Sequence, residues 1–118
     1  MQRRTGALIP LSLIALSLGA MLPGTAHPLR AAGYTIAFLP KAVGNPYFDT
    51  AFAGAKLAAK EHGDTVLQVG PATADASGQV TFIKTLIQQH VNAIAVSADD
   101  PAVIAPALQQ AEAKGINW

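Results

Sequence analysis

Between Tyr34 and Gly115 the sequence repeats one pattern three times: a short apolar run, a loop, then a segment with apolar residues at helical spacing. The runs are Tyr34–Leu39, Thr65–Val69 and Asn92–Ser97. The first is apolar on nearly every residue, as a strand covered on both faces is. The first helical segment runs from Tyr47 to Glu61, with Phe48, Ala51, Phe52, Ala55, Ala58 and Ala59 on one side. His62-Gly63 gives it a stop, because glycine takes the left-handed C′ conformation. The second begins after Ser77 or Asp75 as cap and turns Val80, Ile83, Leu86 and Ile87 inward. The third opens at Asp99-Asp100-Pro101, an acid at the cap with proline at the first helical position. It turns Ile104, Ala107, Leu108 and Ala111 inward, bends at Pro106 and ends at Gly115. Ile116-Asn117-Trp118 begins a fourth strand. Three βα units in succession predict an α/β fold, a parallel sheet joined by right-handed crossovers. Ligands of such sheets sit at the C-terminal ends of the strands, which directs attention to loops 40–46, 70–76 and 98–101.

The residues before this pattern read as an address. Arg3 and Arg4 precede an apolar run from Ala7 to Leu22, and Pro23-Gly24-Thr25-Ala26 follows. Small residues at Gly24 and Ala26 suit cleavage after Ala26. The apolar run of 16 residues, interrupted by Pro10, is short for a membrane anchor, which needs roughly 20. Residues 1–26 are therefore expected to be a cleaved signal peptide and 27–33 a leader without periodicity, ahead of an α/β unit over 34–118. Without 1–26, six Lys and Arg face seven Asp and Glu, so the exported product is nearly neutral.

Charge and composition exclude several classes of function. A charged share of only 13% beside 51% hydrophobic residues excludes a disordered chain. There is no basic run beyond Arg3-Arg4, so nucleic acid is not an expected partner. With no cysteine the chain has no disulfide, no zinc–thiolate site, no cysteine nucleophile and no lipid anchor on cysteine. Neither phosphate-cradling glycine pattern follows any of the strands. His27, His62 and His90 fall in the leader and at helix ends, away from the strand-end loops, so neither a metal site nor a catalytic base is expected.

One loop has the residues of a ligand site. Pro40-Lys41-Ala42-Val43-Gly44-Asn45-Pro46-Tyr47-Phe48 places a cation, an amide and two aromatic rings at the mouth of the first strand. Sugars are held by this mixture: polar side chains bridge hydroxyls while ring faces cover the C–H surface. A plainer reading has Asn45 as helix cap, Pro46 at the first helical position and Phe48 in the core.

The segments Ile36-Ala37-Phe38-Leu39-Pro40-Lys41 and Gly44-Asn45-Pro46-Tyr47-Phe48 resemble the opening of the type I periplasmic sugar-binding proteins of ABC transporters. Gly70-Pro71-Ala72-Thr73, Gly78-Gln79-Val80 and Asn92-Ala93-Ile94-Ala95-Val96-Ser97-Ala98-Asp99-Asp100-Pro101 are similar in order and spacing to the rhamnose- and autoinducer-2-binding branch. The resemblance implies a periplasmic-binding-protein-like fold of type I, of which 34–118 is an incomplete N-terminal lobe. It implies capture of a monosaccharide-like ligand by Lys41, Asn45, Tyr47 and Phe48, without cofactor, metal or covalent catalysis. It also implies a monomer in the periplasm that delivers its ligand to a membrane permease. The family's next acidic site residue and its second lobe would lie beyond Trp118, so the chain is expected to be a fragment that folds poorly and binds weakly. Asp99 stands on the correct edge of the sheet but reads better as a capping acid. Two other classes remain open: an exported flavodoxin-like α/β enzyme, which would need a phosphate- or flavin-binding loop after the first strand, and the sugar-sensing effector domain of a regulator, which would need a DNA-binding segment where the signal stands.

Overall fold

In the computed structural model, which describes residues 33–118, β1 (Thr35–Leu39), β2 (Thr65–Gln68) and β3 (Ala93–Val96) form one sheet in the order β2-β1-β3. The expected signal, 1–26, and all but the last residue of the leader lie outside the described residues. Both pairings are parallel: Ile36 lies opposite Val66 on one side and Ala93 on the other. Helices α1 (Pro46–His62), α2 (Ala76–Gln88) and α3 (Pro101–Glu112) follow the strands in turn. The chain moves one way from β1 to β2 and the opposite way from β2 to β3. Right-handed crossovers therefore place α1 on one face of the sheet and α2 on the other.

The side chains of β1 divide accordingly. Ala37 and Leu39 are fully buried in a cluster with Ile83 and Leu86 of α2, Ile94 of β3, and Ile104, Ala107, Leu108 and Ala111 of α3. Phe38 faces α1, its ring centroid 5.9 Å from that of Phe52. The inward positions expected for α3 are all buried. In α2, Ile83 and Leu86 are buried, whereas Val80 and Ile87 are half-buried at the margin of the cluster.

The expected face of α1 is only partly covered. Ala59 is buried, Phe48, Phe52 and Ala55 are half-buried, and Ala51 and Ala58 are exposed. The reason is geometric: α2 and α3 pack against each other over the far face, while α1 contacts β2 and has no helical neighbour of its own among the described residues. On α1's side of the sheet Ala95 of β3 is exposed.

Local signals set the boundaries. Gly63 adopts φ 78°, and its N–H reaches the carbonyls of Ala59 and Lys60. Asp75, rather than Ser77, caps α2 by accepting from the Ser77 N–H at 3.0 Å. Asp100 caps α3, accepting from the N–H groups of Ala102 and Val103, so Asp99 is not the capping acid. Helix α3 continues through Pro106 to Glu112. The expected fourth strand is present as a single parallel bridge, Ala93 with Asn117, on the side of β3 away from β1.

Candidate functional site

Strands β1 and β3 are neighbours, yet the chain leaves β1 toward the α1 face and β3 toward the α2–α3 face. Loops that part to opposite sides of a parallel sheet open a crevice at the strands' C-terminal ends. Hydrogen bonds hold the loops there together. The Val43 N–H donates to the Pro71 carbonyl at 2.9 Å, joining the loops after β1 and β2. The Ser97 N–H donates to the Leu39 carbonyl at 3.0 Å, the last rung between β3 and β1.

On the α1 side of this edge, Phe38, Tyr47, Phe48, Ala51, Ala95, Val96 and Ser97 enclose an open hollow of about 350 Å³, within the range of small-ligand sites. The rings of Tyr47 and Phe48 meet edge to face at 5.2 Å between centroids and 82° between planes. Phe48 is half-buried, while Tyr47 is 76% exposed and free to turn its ring to a ligand. Of the four residues named from the sequence, Tyr47 and Phe48 thus share one wall. Lys41 and Asn45 are exposed on the adjoining loop, outside that wall. Asn45 does cap α1, its Oδ1 accepting from the Tyr47 N–H at 3.0 Å. The cap occupies the oxygen and leaves the Nδ2 group available as a donor.

A hollow of about 420 Å³ on the other side of β3 is lined by Ile94, Ala95, Val96, Ala98, Pro101, Ile104, Ala105, Leu108 and Trp118. The indole N–H of Trp118 is the one polar side-chain group in that lining. It offers little to a polar ligand, so the aromatic hollow is the candidate site.

Residues not singled out from the sequence complete the edge. Ser97 lines the aromatic hollow. Gln79 is fully buried and bonds to the loops after β1 and β3. Its signal was present: Gln79, Ile83 and Leu86 follow one another at helical spacing, which puts the glutamine on the buried side of α2. The Gln68 Nε2 at the end of β2 is buried without a hydrogen-bond partner. Asp99, with its side chain exposed, is held through its backbone N–H instead.

A parallel α/β sheet with an open, aromatic-walled crevice at its C-terminal edge has the form of one lobe with a candidate ligand crevice. The family model of the periplasmic binding protein domain matches residues 36–117, and the chain belongs to that family. The fold is accordingly of the type I periplasmic-binding-protein kind. The chain is 29% identical over 120 residues to the ribose import binding protein of Bacillus subtilis, an alignment covering 98% of this chain and 39% of that protein. Among solved structures it resembles LsrB from Clostridium saccharobutylicum in complex with AI-2, at 37% identity and TM-score 0.68 over 71% of this chain and 27% of that one. It also resembles an ABC transporter solute-binding protein from Clostridium phytofermentas with bound L-rhamnose, at 34% identity and TM-score 0.68 over 71% of this chain and 26% of that one. The chain thus spans well under half the length of these relatives.

Proposed function

We propose that residues 34–118 form the N-terminal lobe part of the sugar-capturing component of an ABC-type transporter. In this reading residues 1–26 direct export and are removed, with a mature start at His27 in the periplasm. The ligand is monosaccharide-like, of the rhamnose or autoinducer-2 type. Tyr47 and Phe48 cover its C–H face, while the Lys41 ammonium and the Asn45 Nδ2 group donate to its hydroxyls. A second lobe closes over the ligand by a hinge motion, and the loaded protein, a monomer, delivers it to a membrane permease. No covalent step and no cofactor enter this mechanism.

The observation that carries the proposal is the paired rings of Tyr47 and Phe48 at the crevice between β1 and β3, beside a loop bearing a cation and a free amide donor. One lobe holds a ligand from one side. If a complete site binds with micromolar affinity, about 8 kcal/mol, half the contacts leave binding in the millimolar range. Titration of the isotopically labelled chain with L-rhamnose, D-ribose and autoinducer-2 in a nuclear magnetic resonance experiment reads such weak binding residue by residue. The expected result is backbone shift changes concentrated at Lys41–Phe48 and Ser97. Changes confined to other surfaces, or none at millimolar ligand, would overturn the reading.

A further inference from the structure

Among the described residues Gln79 is the buried polar residue of the core, at 0% exposure in the first turn of α2. Its Nε2 group donates to the Pro40 carbonyl at 3.2 Å and to the Ser97 carbonyl at 2.9 Å. Its Oε1 accepts from the Asp99 N–H at 2.9 Å. One side chain therefore joins the residue that follows β1 to two residues of the loop after β3.

The strand ends explain why an amide stands there. The β1–β3 ladder closes with the Ser97 N–H on the Leu39 carbonyl. The next residue of the first strand is Pro40, which has no N–H to continue it. Beyond that rung two carbonyls, of Pro40 and Ser97, lie close to one another with no backbone donor between them. Leaving the buried Pro40 carbonyl unpaired costs free energy, and the part-buried Ser97 carbonyl and Asp99 N–H add to that cost. A terminal amide carries two donor hydrogens and an acceptor oxygen on one planar group, enough for all three. Glutamate at neutral pH has no donor, and methionine has neither a comparable donor nor a strong acceptor.

We infer that Gln79 is a positioning residue for the binding edge, fixing the Lys41-bearing loop against the Ser97–Asp99 loop so that the two sides of the aromatic hollow keep their spacing. The inference rests on the reading of that hollow as the ligand site. Gln79 lines no part of the hollow and touches the ligand only through these loops.

Amide hydrogen exchange, followed residue by residue on the chain and on two variants, tests it without any ligand. Gln79→Met keeps the volume and apolar packing but removes the amide. The Asp99 N–H is expected to lose at least about tenfold in protection, while Ile94 and Leu108 keep theirs within a few-fold, and the resonances of Val43 and Ser97 move. Gln79→Glu adds a pH readout. Burial beside two carbonyls disfavours the carboxylate and raises that carboxyl's pKa above the ordinary glutamate value. The protonated form donates to one carbonyl and accepts from Asp99. The carboxylate still offers Asp99 an acceptor, but it faces the Pro40 and Ser97 carbonyl oxygens with no donor and is driven from the site. Asp99 protection therefore returns at acid pH and falls as pH rises through the raised value. Gln79→Met, measured at the same pH values, is expected to gain no such protection and controls for the native carboxylates. Unchanged Asp99 protection in Gln79→Met would overturn the inference, and so would an equal loss at Asp99, Ile94 and Leu108, the mark of an ordinary core residue. In the ligand arm, Gln79→Met is expected to reduce the L-rhamnose response at Lys41–Phe48 several-fold. If the unaltered chain answers none of the three ligands, the sugar reading fails, and the exchange data alone decide whether Gln79 positions the loops.

Discussion

The backbone N–H of Val43 donates to the carbonyl of Pro71 at 2.9 Å, so the loop that carries Lys41 and Asn45 is braced by the loop that follows β2. Gly70 makes the approach possible. A Cβ on it would lie 3.2 Å from the Pro40 carbonyl oxygen and 3.3 Å from a methyl of Val43. Gly70→Ala therefore pushes on backbone at one contact and on a β-branched side chain at the other. Both give by a few tenths of an ångström, so the cost falls at the low end of overpacking, about 1 kcal/mol. Urea unfolding of the variant should show that loss at an unchanged denaturant slope.

Asn45 has one observed duty and one proposed duty, which two substitutions separate. Its Oδ1 caps α1, and the proposal gives its Nδ2 to the ligand. Asn45→Ala is expected to lose about 1 kcal/mol of stability together with ligand binding. Asn45→Asp retains a capping oxygen near the positive end of α1, so stability should be kept. Binding should still fall, because a carboxylate offers no donor. Thermal unfolding and ligand titration on the same samples read the two effects. Equal ligand response in the native chain and Asn45→Asp would remove Asn45 from the site.

Lys41 and Phe48 differ in what they hold. Lys41 is exposed, so Lys41→Ala should leave stability within about 0.5 kcal/mol while weakening ligand binding by about 1.5–3 kcal/mol, tenfold or more. Phe48 is half-buried against Tyr47, and Phe48→Ala removes packing as well as a ring face. It should lower the unfolding midpoint and the ligand response together. Unchanged binding in both variants would move the site away from this loop.

How much of this was legible beforehand depends on whether the signal is local. Strands, helix order and the glycine stop at Gly63 follow from apolar runs and short-range chemistry, and they appear where expected. The helix caps were harder, because Asp75 and Ser77 or Asp99 and Asp100 are equivalent by residue type, and the choice falls to whichever residue takes the extended backbone next to the first turn. Coverage of the apolar side of α1 is not a local signal. Helical spacing tells which residues point toward the sheet but not whether a neighbouring helix covers them, so Ala51 and Ala58 remain exposed. Gln79 stands in the sequence only as part of the segment Gly78-Gln79-Val80, although its spacing to Ile83 and Leu86 points inward. Its partners Pro40, Ser97 and Asp99 are 18 to 39 positions away, a distance over which sequence pattern says nothing about hydrogen bonds.

The adjacent acids Asp99 and Asp100 give a comparison in which residue type and exposure are held nearly constant. The Asp100 carboxylate accepts from the Ala102 N–H at 2.9 Å and from the Val103 N–H at 3.4 Å, satisfying two of the unpaired donors at the start of α3. Pro101 follows at the first helical position, where its missing N–H costs nothing. Asp99 is held by its backbone, with its N–H on Gln79, and its carboxylate is exposed. Asp100→Ala should therefore cost about 1 kcal/mol and Asp99→Ala almost nothing, since the backbone contact survives loss of the side chain. The same logic predicts how each couples to Gln79. Asp99→Ala combined with Gln79→Met should cost no more than Gln79→Met alone. Asp99→Pro removes the N–H itself, so part of the Gln79→Met penalty is already present and the double variant should lose less than the two single changes together. Urea unfolding of the four single variants and two combinations measures this directly. A large stability loss in Asp99→Ala, or none in Asp100→Ala, would reverse the assignment of the cap.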